Sequence, residues 1–236
     1  MSTAQTMPVA RKVLAVCAHP DDESFGLGAI ISTLIDQGSS IDLVCLTRGE
    51  ASTLGASIGD LAAARSSELA AAATALGINA VHQFDHPDGG LSTIDIGLLA
   101  PAIQPLAADS DLLLVFDEGG ITGHPDHIHA TAAAMTVADQ LDLPVLAWTL
   151  YLRVADTLNT EFNGRFVGRA DEEIDIQLPV KRDRQRDAIR CHDSQLTANP
   201  VPERRLALTG DTEPLRFLRR SQRPCCMTQH AKEQTS

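Results

Sequence analysis

The chain has 236 residues, 44% hydrophobic and 21% charged, a composition and length that allow a globular protein with a sizeable core. Its formal net charge of −12 gives no electrostatic handle for nucleic acid or an anionic membrane, and 3% aromatic residues exclude a base-stacking platform. In chain order, "KVLAVCA" (12–18) predicts a buried strand. "SFGLGAIISTLIDQG" (24–38) predicts a helix capped by Ser24 and stopped at Gly38. "IDLVCLT" (41–47) reads as a second strand, and "GDLAAARSSELAAAATALG" (59–77) as a helix between an Asp60 cap and Gly77. "AVHQFD" (80–85) is a short strand, and "TIDIGLLAPAIQPLA" (93–107) a helix weakened by Pro101 and Pro105. "DLLLVFD" (111–117) has the unbroken apolar run of a central parallel strand. A helix over 127–141, a strand at "PVLAWTLYL" (144–152), an edge strand at "EIDIQLP" (173–179) and a charged helix at "VKRDRQRDAIRCHDSQL" (180–196) follow.

Strand–helix alternation through residue 152 predicts an α/β, Rossmann-like single domain, with a mainly parallel β-sheet covered by helices on both faces. Its expected extent is 11–220, between a flexible N-terminus (1–10) and a disordered C-terminal tail (221–236). No apolar run approaches the ~20 residues that span a bilayer, and "MSTAQTMPVARK" has no secretory pattern. Five cysteines without regular spacing fit a reducing compartment, so a cytoplasmic location is expected.

Two of the predicted strands end in unusual clusters. The first runs into His19-Pro20-Asp21-Asp22-Glu23, and the 111–117 strand into "DEGGITGHPDHIHA", where Gly119, Gly120 and Gly123 permit a sharp turn before His124-Pro125-Asp126-His127. Crowded carboxylates repel one another and cost desolvation when buried. A divalent metal would neutralise them, and zinc favours mixed histidine and carboxylate sites with three protein ligands and one open position. His19 and Asp22 are three residues apart, so one turn can aim both inward, and His127 would supply a third ligand. His86-Pro87-Asp88 repeats the HPD pattern, but His86 is left out of the ligand set. "GLG" at 26–28 lacks the full dinucleotide-loop pattern and follows carboxylates that would repel a pyrophosphate.

"AHPDDE" followed at a distance by "GHPDH" resembles the LmbE/PIG-L family of zinc-dependent N-acetylglucosaminyl deacetylases and related amidases. "LTRGEAS" (46–52), "LAAARSSELAAAATALG" (61–77), "HPDGGL" (86–91) and "CHDSQ" (191–195) match further family blocks in the same order. The resemblance implies one Zn²⁺ per chain held by His19, Asp22 and His127. It implies Asp21 as general base, His124 as electrostatic or acid partner and Asp126 as orienter. His124 is expected to stay protonated because neighbouring acidic groups outweigh the cation. Arg65, Asp88, Arg48, His192 and Gln195 are the expected substrate contacts. The implied substrate is a small N-acylated amino sugar, with no nucleic acid or membrane partner; another amide or ester, or a non-catalytic sugar-binding role, is the alternative. A homo-oligomer is left open. Thr122 stands where some sugar deacetylases of the family carry a tyrosine.

Overall fold

The computed structural model describes residues 7–221. The C-terminal tail expected at 221–236 therefore lies, from residue 222 on, outside the described residues. The sheet has seven strands in the order β3-β2-β1-β4-β5-β7-β6. β1 (Lys12–Cys17), β2 (Ser40–Thr47), β3 (Ala80–His86), β4 (Leu112–Phe116) and β5 (Val145–Trp148) pair in parallel. β7 (Thr212–Arg219) is antiparallel to both β5 and the edge strand β6 (Ile176–Pro179). β1, β2 and β4 are almost wholly buried, as their unbroken apolar runs require when both faces are covered.

Two apolar cores lie on the two faces. One gathers Leu27, Ile30 and Leu34 with Leu69, Leu76 and Ala188; the other gathers Leu99 and Ile103 with Ala130, Ala134 and Val137. The first core therefore draws on α2 (Gly28–Asp36), α3 (Leu61–Leu76) and α8 (Asp183–Cys191), and the second on α4 (Ile96–Ala107) and α6 (Pro125–Leu141). Asp60 caps α3 by accepting the Ala63 amide, and Gly77 ends it at φ 84°. α4 runs through Pro101 and Pro105, which sit one turn apart on its exposed side, where missing backbone bonds face water.

Two expectations are corrected, and three elements are added. The 24–38 helix is two pieces, α1 (Asp22–Phe25) and α2, and Asp21 rather than Ser24 precedes the first. The break falls at Gly26, where a Cβ would lie 2.6 Å from the Phe116 ring and 2.7 Å from Trp148. The charged helix is likewise split at His192 into α8 and α9 (Asp193–Leu196). Finally, α7 (Leu152–Phe162), α10 (Val201–Thr209) and β7 are elements the sequence pattern did not announce.

β7 also ties the sheet to the first turn of the site. Glu213 is fully buried and accepts from Trp148 Nε1 at 2.9 Å, Arg205 at 3.0 Å and Arg182. Arg205 in turn donates to the Phe25 carbonyl of α1 at 2.7 Å. No helix among the described residues is long and apolar enough to cross a membrane.

Candidate active site

β1 lies between β2 and β4, and the chain leaves it in one direction toward β2 and β3 before crossing to β4. In open α/β sheets such a reversal opens a crevice at the carboxyl ends of the two central strands. Both His/Asp clusters fall there. α5 (Gly120–Gly123) and the His124 cap lead from β4 into α6; Pro125 occupies the first turn, and His124 Nδ1 accepts the Asp126 amide at 3.2 Å.

The geometry of three side chains follows from what occupies their other atoms. Asp22 Oδ2 accepts the amides of Ala18 at 3.1 Å and His19 at 2.9 Å, which leaves Oδ1 facing inward. His19 Nε2 lies 3.0 Å from Asp88 Oδ1 and 3.2 Å from Asp126 Oδ2. His127 Nδ1 lies 3.0 Å from the Gly120 carbonyl. These partners accept, so they assign the imidazole protons to His19 Nε2 and His127 Nδ1. The other nitrogens then converge: His19 Nδ1 to His127 Nε2 is 3.2 Å, and His127 Nε2 to Asp22 Oδ1 is 3.1 Å. Metal-ligating histidines characteristically donate their other nitrogen to a carboxylate or carbonyl in this way. His124 is within ligand reach of His19 and His127, and Asp88 and Asp126 group on the opposite side of His19.

Electrostatics follow the same contacts. Burial opposes protonation of His19, but Asp126, Asp88 and Asp22 push it up to about 10, so a metal binding at Nδ1 would displace a proton from it. Burial also opposes charge on His127, where Asp22 wins and raises it. Burial resists ionisation of Asp22, yet His127 and His19 hold it well below the usual carboxylate range. Asp21 behaves differently: burial pushes it up to about 6, only partly offset by Arg65. His124 departs from expectation. Burial and the neighbouring His127 and His19 lower it, outweighing Asp126 and Asp22, so its neutral form is favoured.

The remaining expected residues surround this centre. Asp126 is fully buried, and its carboxylate accepts the amides of Gly89 at 2.8 Å and Leu91 at 3.1 Å. Asp88 Oδ2 accepts the Ala51 amide at 2.9 Å, and the Asp88 amide donates to Glu50. Arg48 is half-buried, with Nε 3.4 Å from Ser66 Oγ. Arg65 is buried and directed inward: it donates to Gly49 O at 2.7 Å, to Asp21 Oδ2 at 2.9 Å and to the Pro20 carbonyl. Gly49, at φ 67°, leaves no room for a Cβ beside that guanidinium. His192 is fully buried against Glu23 at 2.7 Å. Gln195 is buried, accepting from Ser52 Oγ at 2.8 Å and donating to Ser194 Oγ at 2.9 Å.

Two groups escaped the sequence reading. Glu23 stands in the quoted cluster, but only its burial against His192, 169 residues away, gives it a part. Asp117, at the end of an apolar run, is buried and held by Arg169 at 2.6 Å and Arg216 at 3.2 Å. Nothing in the local pattern announces partners so distant.

Comparison with known proteins bears on this arrangement. A family model described as PIG-L, GlcNAc-PI de-N-acetylase, matches residues 14–138. A probable N-acetylglucosaminyl-phosphatidylinositol de-N-acetylase of Schizosaccharomyces pombe is 32% identical over 211 residues, covering 83% of this chain and 82% of the relative. A 1D-myo-inositol 2-acetamido-2-deoxy-alpha-D-glucopyranoside deacetylase of Saccharomonospora viridis is 28% identical over 231 residues, covering 80% and 86%. Among solved structures, N,N'-diacetylchitobiose deacetylase from Pyrococcus horikoshii shares the fold with a TM-score of 0.64 at 19% identity, over 89% of this chain and 84% of that one. The zinc-inhibited form of teicoplanin deacetylase gives 0.67 at 18% identity, over 90% and 100%. The match over residues 14–138, together with a relative similar along most of its length, shows that the chain belongs to the PIG-L, or LmbE-like, family of de-N-acetylases.

Proposed function

We propose that the protein is a zinc-dependent deacetylase that hydrolyses the acetamide, or a similar amide, of an N-acylated amino sugar such as an N-acetylglucosamine derivative. One observation carries the reading. His127 Nε2 lies 3.2 Å from His19 Nδ1 and 3.1 Å from Asp22 Oδ1, while the other polar atom of each of those three side chains has a partner. Two imidazoles and one carboxylate suit a single zinc ion with an open position. Such an ion, when bound, acidifies water and polarises the acyl carbonyl.

The chain's own groups do the rest. Arg65 holds Asp21 Oδ2, which leaves Oδ1 to take the proton of the attacking water and return it to the departing amine. His124, neutral and with Nδ1 occupied, keeps Nε2–H as a donor for the developing oxyanion. Asp126 orients both histidines, His19 through its carboxylate and His124 through its amide. Asp88 and Arg48 are the sugar contacts, and the buried Arg65, His192 and Gln195 act through the residues they touch. The relatives named above deacetylate N-acetylated sugars by their descriptions, which supports the substrate class.

The test is acetate release from a panel of N-acetylglucosamine derivatives by the metal-loaded protein, with and without a chelator. Chelator-sensitive release is expected. Turnover of simple esters or amides but of no sugar would favour the other hydrolase, and sugar binding without turnover would favour a non-catalytic role.

A further inference from the structure

Asp21 has φ 109° and ψ −27°, a backbone conformation rarely adopted by a residue with a side chain. The peptide unit before it is gripped at both ends. Its carbonyl, on Pro20, accepts from Arg65, and its N–H, on Asp21, donates to Glu23 Oε2 at 2.9 Å. The peptide unit after it is fixed by the start of α1, where Ser24 N and Phe25 N donate to Asp21 O at 3.0 and 2.7 Å. Rotation about the Asp21 N–Cα bond is therefore set by two charged side chains.

Glu23 is itself held from one direction. His192 Nε2 lies 2.7 Å from Glu23 Oε1, and the Ser24 hydroxyl donates to the same oxygen. Neither Glu23 nor His192 has exposed side-chain surface. His192 Nδ1 has no hydrogen-bond partner, so the ring's one polar contact is Glu23. The ring is brought there because the helical segment breaks at His192 between α8 and α9.

We infer that His192 is a positioning residue: it holds Glu23, Glu23 fixes the Pro20–Asp21 peptide, and that peptide aims the Asp21 carboxylate. This rests on the deacetylase reading, in which Asp21 handles the proton. A fully buried imidazole does not meet a sugar, so the role is distinct from substrate contact.

His192→Leu and His192→Gln separate the alternatives, because the first removes the donor and the second keeps one. In the zinc-loaded protein, four quantities are measured: zinc content, kcat, KM, and hydrogen exchange at the Asp21 amide by NMR. His192→Leu should keep its zinc, hold KM within about twofold, and lose kcat by ~10–100-fold, the scale of a small misplacement of a reacting group. Its Asp21 amide should exchange roughly tenfold faster, since that N–H loses a rigid acceptor. His192→Gln should recover most of both effects. A raised KM at unchanged kcat would overturn the inference in favour of substrate contact. Equal losses in both variants with unaltered Asp21 exchange would overturn it in favour of bulk packing. If His192→Leu does not fold, His192→Asn, too short to reach Glu23, replaces it in the same comparison. Absence of turnover in the wild type would sink the deacetylase reading, whereas unchanged exchange at Asp21 would sink the His192 link by itself.

Discussion

His19 Nδ1 and His127 Nε2 face each other at 3.2 Å across 108 residues of sequence. Two metal bonds of about 2.0–2.1 Å at a tetrahedral angle would set such nitrogens about 3.4 Å apart. The spacing is thus close to that of a filled site, because backbone and carboxylate partners behind each ring hold it there.

His19→Ala and His127→Ala should each take zinc content from about one ion per chain to near none, by elemental analysis after gel filtration. Full retention in both would remove them from the ligand set. Asp22→Asn should weaken the metal too, since it replaces the anionic oxygen that faces His127 at 3.1 Å.

Asp21→Asn should separate metal binding from chemistry. Zinc content is expected to stay the same, because Asp21 is not among the proposed ligands. Its kcat should fall by roughly 10²–10⁴, the usual worth of a general acid–base group. Wild-type turnover in that variant would place the proton transfer elsewhere.

Asp126→Ala acts one step behind the metal. It removes an acceptor from His19 Nε2–H and frees the Gly89 and Leu91 amides. Loss of such a partner typically costs 10–100-fold in metal affinity or activity. A chelator competition series reads this directly, and an unchanged zinc affinity would argue that Asp88 alone orients the ring.

Acid stability tests a different pair. Burial opposes ionisation of Asp117, but Arg169 and the Gly119 amide outweigh it and hold its carboxyl below the usual range. A depressed folded value means the stabilisation is complete above the unfolded value of about 3.9 and fades as pH falls through the lower folded value. Asp117→Asn should therefore be clearly less stable than wild type in urea at pH 6, and the gap should narrow toward pH 3 and below. A gap that stays constant with pH would mean that Asp117 contributes by shape rather than charge.

The sheet's parallel half was readable because β1, β2 and β4 are buried on both faces, and such strands announce themselves as unbroken apolar runs. The proposed metal ligands were legible as candidates because His19, Asp22 and His127 stand at the ends of two of those runs. The antiparallel half was not. "TEPLRFLR" of β7 mixes arginine, proline and leucine, since part of it is only half-buried and its buried Glu213 is satisfied by Arg182 and Arg205. Arg65, His192 and Gln195 sat in blocks that suggested a role, but their direction depends on burial. A histidine near the end of a charged helix looks like a surface residue until the helix breaks beneath it. The shift at His124 runs against expectation for a related reason: its burial, together with the imidazoles packed beside it, outweighs the carboxylates that the sequence makes conspicuous.

The last described strand, β7, is inserted between β5 and β6 rather than added at a margin. During synthesis, the parallel strands can assemble from the amino end as they emerge, yet β5 keeps an open edge and β6 has no neighbour until residues 212–219 have left the ribosome. Arg205 and Glu213, which brace the Phe25 carbonyl beside the first His/Asp turn, arrive in the same final stretch. The turn that carries Asp21 and Asp22 is thus made well before the groups that secure it, Arg205 standing 180 residues beyond the Phe25 carbonyl it holds. A chain stalled shortly before residue 212 would present two unpaired strand edges and an unbraced site.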